Sequence, residues 1–397
     1  MPARRLRVAD VIRVCWEAFN RTHALPPHMV RAVRHILQCR TAALGGHIHQ
    51  CDRCGGEVPM YNSCQTRHCP TCQTSVKEKW LDARLAEVLP VQYFHVVFTL
   101  PHSLNALIDA NRTLLLGEFF GVINWVLQHF ARDPQWRLEG QLGFLAILHT
   151  WTQKLETHFH VHCIVPGGVW RATAKPAAAA GQWVPCRGKW LFRKESLADA
   201  FRNRFLQRLC SLRKRGKLAY GGRAAPLAAD AAWETLLATL VQEAWIVFPK
   251  PTPDDPSQAL DYVARYTHKV AIGDSRIKAI ANGRVTYTWR DRSENNIEKT
   301  ETIPVEVFTR RFLSHILPDG FHKIRHFGWM AAGRRKAILA AIRQAIHVEP
   351  PPAAVKESLS ERIWRRTGVD ITLCPHCGKG HLQKTDRQLL PHRGQAP

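Results

Sequence analysis

Acidic residues are scarce in this chain. Its 397 residues hold 32 aspartates and glutamates against 56 lysines and arginines, a formal net charge of +24 at pH 7. No acidic cluster accompanies its histidine-rich stretch, which argues against a site that handles phosphate through three carboxylates. Long apolar runs are also missing. No window of about 18 uninterrupted apolar residues exists, so a membrane-spanning helix is not expected. The opening "MPARRLRVADVIRVCWEAF" lacks the apolar core and small-residue cleavage site of a secretory signal, and a soluble intracellular protein with no membrane partner is the expectation. No repeat of roughly 20 to 50 residues recurs, which argues against solenoids and propellers. Tyrosine is rare as well, with 6 in the whole chain.

The basic excess exceeds what solubility requires and points to a polyanion, nucleic acid first, because neutralising phosphates releases counterions. The apolar fraction of 45% suits a globular protein, and the length suggests two or three domains. Composition separates three regions. Residues 1–90 carry a cysteine cluster between helical patterns. Residues 91–330 alternate strand-like runs ("YFHVVFTL", "LGFLAILHTW", "HVHCIV") with helices, and include a hairpin turning on Asn282-Gly283. Residues 331–397 form a basic helical tail that contains the stiff spacer "EPPPAA" (349–354) and a C-terminal CxxC knuckle. The Ala-rich "RATAKPAAAAGQ" (171–182) reads as a featureless insert.

Six of the 12 cysteines lie from Cys39 to Cys72. Clustered CxxC pairs in a reducing compartment indicate metal. The knuckles Cys51/Cys54 and Cys69/Cys72 have a separation that lets four thiolates surround one tetrahedral Zn²⁺, and a closed four-ligand site is structural. Cys39, Cys64, His47, His49 and His68 lie near enough to form a Cys₃His site or a second one. Beside the knuckle, Arg67 is a candidate phosphate contact. Near the C-terminus, Cys374 and Cys377 form another knuckle, with His381 and His392 as candidate completing ligands.

In "THFHVHCIV" alternation puts His158, His160 and His162 on one strand face and Phe159, Val161 and Cys163 on the other. A histidine face is either plain surface or a metal site. Two neutral imidazoles bind a cation weakly, so a third ligand is needed. The preceding run places His149, Trp151 and Gln153 on a common face if it continues as a strand, which offers Gln153 or His149, and Gln153 is the choice. In "DYVARYTHKVAI" Tyr262 and Tyr266 stand four apart, on one face of a helix, amid Arg265, His268 and Lys269. A divalent metal held by histidines beside a phenol nucleophile describes DNA cleavage by transesterification, with a 5′-phosphotyrosine storing the bond energy for rejoining.

These segments, with "YNSCQTRHCPTCQ", "FTLPHSL" and "FLSHILPDGFHKIRHFG", resemble the two-tyrosine HUH transposases of rolling-circle insertion sequences, the insertion sequence 91 type. The resemblance covers most of residues 30–330. It implies an α+β architecture: a small helical zinc-binding domain, then an HUH endonuclease domain whose central antiparallel sheet is flanked by helices. It implies His160 and His162 as ligands of Mg²⁺ or Mn²⁺, with His158 a flanking position. It also implies Tyr262 and Tyr266 as paired nucleophiles, structural Zn²⁺, and single-stranded DNA ends of a mobile element as substrate. Arg67, Arg265 and Lys269 are the expected DNA contacts, and the bacterial cytoplasm, at the nucleoid, the expected place of action. A replication initiator or relaxase would share this chemistry, and a zinc-dependent DNA-binding regulator would lack it. The motifs carry no mark of an oligomeric state.

Overall fold

The computed structural model describes residues 5–73, 78, 80, 83–84, 87–173, 181–186, 188, 191–252, 270–291, 293–331, 333, 335–350 and 357–392. In chain order the N-terminal part holds α1 (Val8–Thr22), α2 (Pro27–Gln38), β1 (Gly46–Cys51) and β2 (Glu57–Tyr61). Then come β3 (Tyr93–Thr99), α3 (Asn105–Ala110), α4 (Arg112–Arg132), β4 (Gly143–Trp151), β5 (Thr157–Pro166), β6 (Gly168–Ala172) and β7 (Gly181–Pro185). They are followed by α5 (Lys194–Lys214), α6 (Asp230–Gln242), β8 (Ile246–Pro251), β9 (Ile277–Ala281), β10 (Arg284–Asp291), β11 (Ile297–Pro304) and α7 (Val305–Leu313). The chain closes with β12 (Ile324–Gly328), α8 (Arg335–Ala345), α9 (Leu359–Thr367) and β13 (Leu382–Leu389).

The architecture is α+β, with antiparallel sheets flanked by helices. The central five-stranded sheet runs in the order β12-β4-β5-β3-β8, every pair antiparallel. Alternation in its strands sorts side chains to two faces. Phe94, Val96 and Phe98, with Phe144, Ala146 and Leu148 and with Phe159, Val161, Cys163 and Val165, join one apolar core. Helices α4 and α5 cover that face. Phe201, Phe205, Leu209 and Leu212 recur at helical spacing on α5 and are buried there, as the sequence leads one to expect. α4 is long and apolar enough to cross a membrane by length and composition, yet its Leu116, Phe119, Phe120, Ile123 and Leu127 are buried in this core.

On the opposite face Tyr93, Leu145, Ile147 and Ile164 form a smaller cluster, with Trp80, Val88 and Val91 packed against it. Beyond that cluster, along the same face, lie the histidines.

The compositional regions share their cores. α1 packs on α7, and residues from 271 to 316 bury Ile272, Val285, Tyr287 and Phe308 in the same core as Val8, Ile12 and Ile36. Asp274 ties the two segments: its carboxylate accepts from Val8 N–H (2.9 Å) and from Thr71 Oγ1 (2.7 Å). The far C-terminal β13 pairs with β1, which itself pairs with β2, so the N-terminal region is not purely helical. The β9–β10 hairpin turns at Asn282 (φ 49°) and Gly283 (φ 68°), both left-handed as a type I′ turn requires. The Ala-rich segment is not featureless at its ends: Arg171 and Ala172 close β6 and pair with Gln182 and Gly181 of β7.

Candidate metal centres

β5 presents His158, His160 and His162 on the face away from the helices, because the alternate Phe159, Val161 and Cys163 are buried in the apolar core. Register sets what they meet. His149 of β4 lies directly across from His160, and nitrogen atoms of His149, His160 and His162 all fall within 4.8 Å of one another. His149 and His162 are buried and His160 is half-buried. Three imidazoles in such a cluster can hold one divalent cation and leave its other positions for phosphate oxygens or water.

Gln153, the expected third ligand, sits elsewhere in the chain path. β4 ends at Trp151, and Thr152 N–H closes on the Glu156 carbonyl (2.9 Å), so Gln153 is in a turn and strand alternation does not extend to it. Its carbonyl accepts from Arg276 Nη2 at 2.5 Å. His149 takes the cross-strand place instead.

The histidines have supporting partners. His95, on β3, is hydrogen-bonded through Nε2 to His162 Nδ1 (2.7 Å), with the rings parallel and 5.0 Å apart. Burial, with Lys250 nearby, pulls His95 down to about 4, so it is neutral. With Nδ1 committed to His95, an ion would be held through His162 Nε2, the arrangement that fixes tautomer and ring orientation in metal sites. Sequence reasoning missed His95, although "YFHVVFTL" puts it in strand alternation with Tyr93. His158 is paired differently, through Nδ1 to His102 Nε2 at 2.7 Å. The Trp151 ring stacks on His149 (4.6 Å, 19° between planes). Behind Trp151, buried His315 donates from Nε2 to the Leu155 carbonyl (3.0 Å) and accepts from Thr150 Oγ1 at Nδ1 (3.1 Å). Burial lowers it to about 4.

The cysteines group in two tetrads, neither of them the expected one. Cys39, Cys64, Cys69 and Cys72 come together, and so do Cys51, Cys54, Cys374 and Cys377. The Cys51/Cys54 knuckle is thus not brought to Cys69/Cys72: it stands at the tip of the β1–β2 hairpin, while Cys69 and Cys72 join the core of α1 and α2. The expected completing ligand His381 is held by carboxylates, with Nε2 3.0 Å from Asp370.

Arg67 also departs from expectation. Its guanidinium donates to the carbonyls of Leu317 (3.3 Å), Pro318 (2.6 Å) and Phe321, and its Nε bonds His68 (3.1 Å). Burial lowers its pKa. A guanidinium so engaged anchors the cysteine loop to residues 317–321 and has little left to offer a phosphate. Tyr262, Tyr266, Arg265 and Lys269 lie outside the described residues. Val270, which follows them, lines a small cavity with Trp151, His315 and Lys323.

An antiparallel sheet with a three-histidine face, joined to thiol tetrads in a strongly basic chain, has the donor groups of a metal-binding protein. Residues 143–337 match the family described as putative transposase, and residues 11–100 match the transposase zinc-binding domain. The chain is 38% identical over 379 residues to the putative transposase y4qJ of Sinorhizobium fredii, covering 94% of each. It is 25% identical over 374 residues to the transposase for insertion sequence element IS801 of Pseudomonas savastanoi pv. phaseolicola, covering 92% of this chain and 85% of that one. No solved structure matches. The chain belongs to the insertion sequence 91 family of transposases, with an N-terminal zinc-binding domain that holds structural Zn²⁺.

Proposed function

We propose that this transposase cuts and rejoins single-stranded DNA at the ends of a mobile element through 5′-phosphotyrosine intermediates, by a rolling-circle route in the bacterial cytoplasm. The observation that carries the reading is the three-histidine cluster His149, His160 and His162 on one sheet face of a chain in this family. Tyr262 and Tyr266 are the nucleophiles. The phenol oxygen of one attacks the scissile phosphorus; the bond to the 3′ oxygen breaks, and that oxygen leaves with a proton as a 3′-hydroxyl. Rejoining reverses these bond changes, with a 3′-hydroxyl attacking the phosphotyrosine. A phenol ordinarily ionises near pH 10, so Arg265 and Lys269 beside the tyrosines serve to favour the phenolate and to hold phosphate.

His149, His160 and His162 would hold the divalent cation, which when bound withdraws charge from the scissile phosphate. The donor set fits Mn²⁺ better than Mg²⁺, which takes oxygen ligands in a near-ideal octahedron. Cys39, Cys64, Cys69 and Cys72 hold a structural Zn²⁺: Cys64 Sγ and Cys72 Sγ are 3.8 Å apart, close to the edge of about 3.8 Å for a tetrahedron with Zn–S bonds of about 2.3 Å.

The test is a nicking reaction on single-stranded oligonucleotides carrying the element ends, with Mn²⁺, read as a covalent protein–DNA adduct on a denaturing gel. The adduct is expected from the unaltered protein and absent from the Tyr262→Phe, Tyr266→Phe double variant. An adduct that survives the double substitution would overturn the nucleophile assignment, and one that survives His160→Ala with His162→Ala would overturn the metal assignment.

A further inference from the structure

We infer that Cys51, Cys54, Cys374 and Cys377 hold a second structural Zn²⁺, which clasps the C-terminal segment to the N-terminal hairpin. Cys51 Sγ lies 3.8 Å from Cys377 Sγ, and Cys54 Sγ 3.7 Å from Cys374 Sγ. Four thiolates around Zn²⁺ at about 2.3 Å stand about 3.8 Å apart, whereas a disulfide needs about 2.05 Å. Packing does not account for the cluster: Cys39, Cys69 and Cys72 belong to an apolar core, while Cys51 and Cys374 are buried outside the apolar cores and Cys54 is exposed.

The two contributing loops are near copies, "CDRCGG" and "CPHCGKG". In each, the amide two residues after the first cysteine donates to its sulfur: Arg53 N–H to Cys51 Sγ and His376 N–H to Cys374 Sγ, both at 3.4 Å. Gly380 N–H donates likewise to Cys377 Sγ (3.3 Å). Amides aimed at sulfur favour the thiolate, the form that binds metal. In each loop a left-handed glycine follows the second cysteine, Gly55 at φ 70° and Gly378 at φ 64°, and its amide closes on the first cysteine's carbonyl at 3.1 and 2.9 Å. Gly380 passes so near the cluster that a Cβ there would stand 2.5 Å from Cys51 Sγ.

The surrounding sheet needs such a clasp. β13 pairs with β1, Leu382 against Cys51, but β13 has no fully buried residue and β2 has none either. A small sheet that buries little apolar surface beyond Ile48 of its central strand is marginal in water, and binding free energy at a structural zinc becomes folding free energy. Polar links are consistent with this docking: Asp52 Oδ1 accepts from His381 N–H (2.8 Å), and Glu57 pairs with Arg387 (2.5 Å). The ion would join knuckles from opposite ends of the sequence.

The experiment is zinc counting by mass spectrometry of the full chain. The unaltered protein is expected to carry two zinc ions, one for each cysteine tetrad. The Cys374→Ser/Cys377→Ser variant, the Cys51→Ser/Cys54→Ser variant and the quadruple variant should each carry one. A single ion in the unaltered protein, or a count unaffected by Cys374→Ser/Cys377→Ser, overturns the inference; the latter result is what a Cys51, Cys54, Cys69, Cys72 site would give. Alkylation of the unaltered protein decides the matter where variants fail to fold. Cys54, though exposed, should resist alkylation with zinc and react together with Cys51, Cys374 and Cys377 after chelation. Equal rates with and without zinc overturn the clasp. Neither readout depends on DNA cleavage, so failure of the tyrosine chemistry would leave the zinc count untouched.

Discussion

Replacing His95 by leucine separates a metal-supporting role from a packing role. His95 is 5% exposed and reaches no substrate-facing surface, but its Nε2 lies 2.7 Å from His162 Nδ1. Leucine fills similar volume and removes the only hydrogen-bonding atoms. Loss of such a partner typically weakens metal affinity by about 10- to 100-fold, or roughly 1.4–2.7 kcal/mol. His162 Nδ1 would then be buried without its His95 partner, at a cost to stability of about 1–3 kcal/mol. The assay is nicking rate against Mn²⁺ concentration at pH 7.5, with Mn²⁺ affinity measured by the paramagnetic resonance of the free ion. The expected result is a midpoint shifted 10- to 100-fold upward with the maximal rate regained at saturating Mn²⁺. His315→Gln is the control, since His315 bonds Thr150 and the Leu155 carbonyl and no member of the cluster. An unchanged Mn²⁺ midpoint in His95→Leu, or a lowered maximal rate that no Mn²⁺ concentration restores, would refute the reasoning.

Other consequences are as direct. His149→Ala should abolish Mn²⁺-dependent nicking while Gln153→Ala retains it, and the reverse pattern would restore the turn residue as ligand. Phe201→Ala on α5 empties a fully buried site against Phe98 and Phe119 and should cost about 3–5 kcal/mol in urea unfolding. Buried His315 and half-buried His326 sit at about 4 when folded, against about 6.5 unfolded. Because their folded values are depressed, stability is full above about pH 6.5 and is lost as pH falls through 4; His315 alone accounts for roughly 2 kcal/mol at pH 5. Urea midpoints at pH 7 and pH 5 test this, and an equal drop in His315→Gln would show that His315 is not responsible.

What the sequence made legible was local. Alternation in "THFHVHCIV" separates a core face from a histidine face without any knowledge of neighbours, and the i, i+4 pattern of Phe201, Phe205 and Leu209 does the same for α5. The choice between His149 and Gln153 was not local. It depended on where β4 stops, and that is set by the Thr152–Glu156 turn and by Leu155 at φ 62°, an uncommon conformation for leucine. A strand two residues longer would have put Gln153 on the histidine face.

The cysteines carry the same lesson over a greater distance. Nearness in sequence pairs Cys51/Cys54 with Cys69/Cys72, because short loops close at the least entropic cost. That cost grows only logarithmically with loop length, so a partner some 320 residues away is penalised by only about 2–3 kcal/mol more than one some 15 residues away. Strand pairing of β13 on β1 offsets a difference of that size, and loop shape then selects the partner. Gly55 and Gly378 follow their knuckles in the left-handed conformation, whereas Gln73 follows Cys72. A glycine after the second cysteine was therefore the readable sign that the knuckles at 51 and 374 are built alike, and spacing alone pointed to a pair that the structure does not bring together.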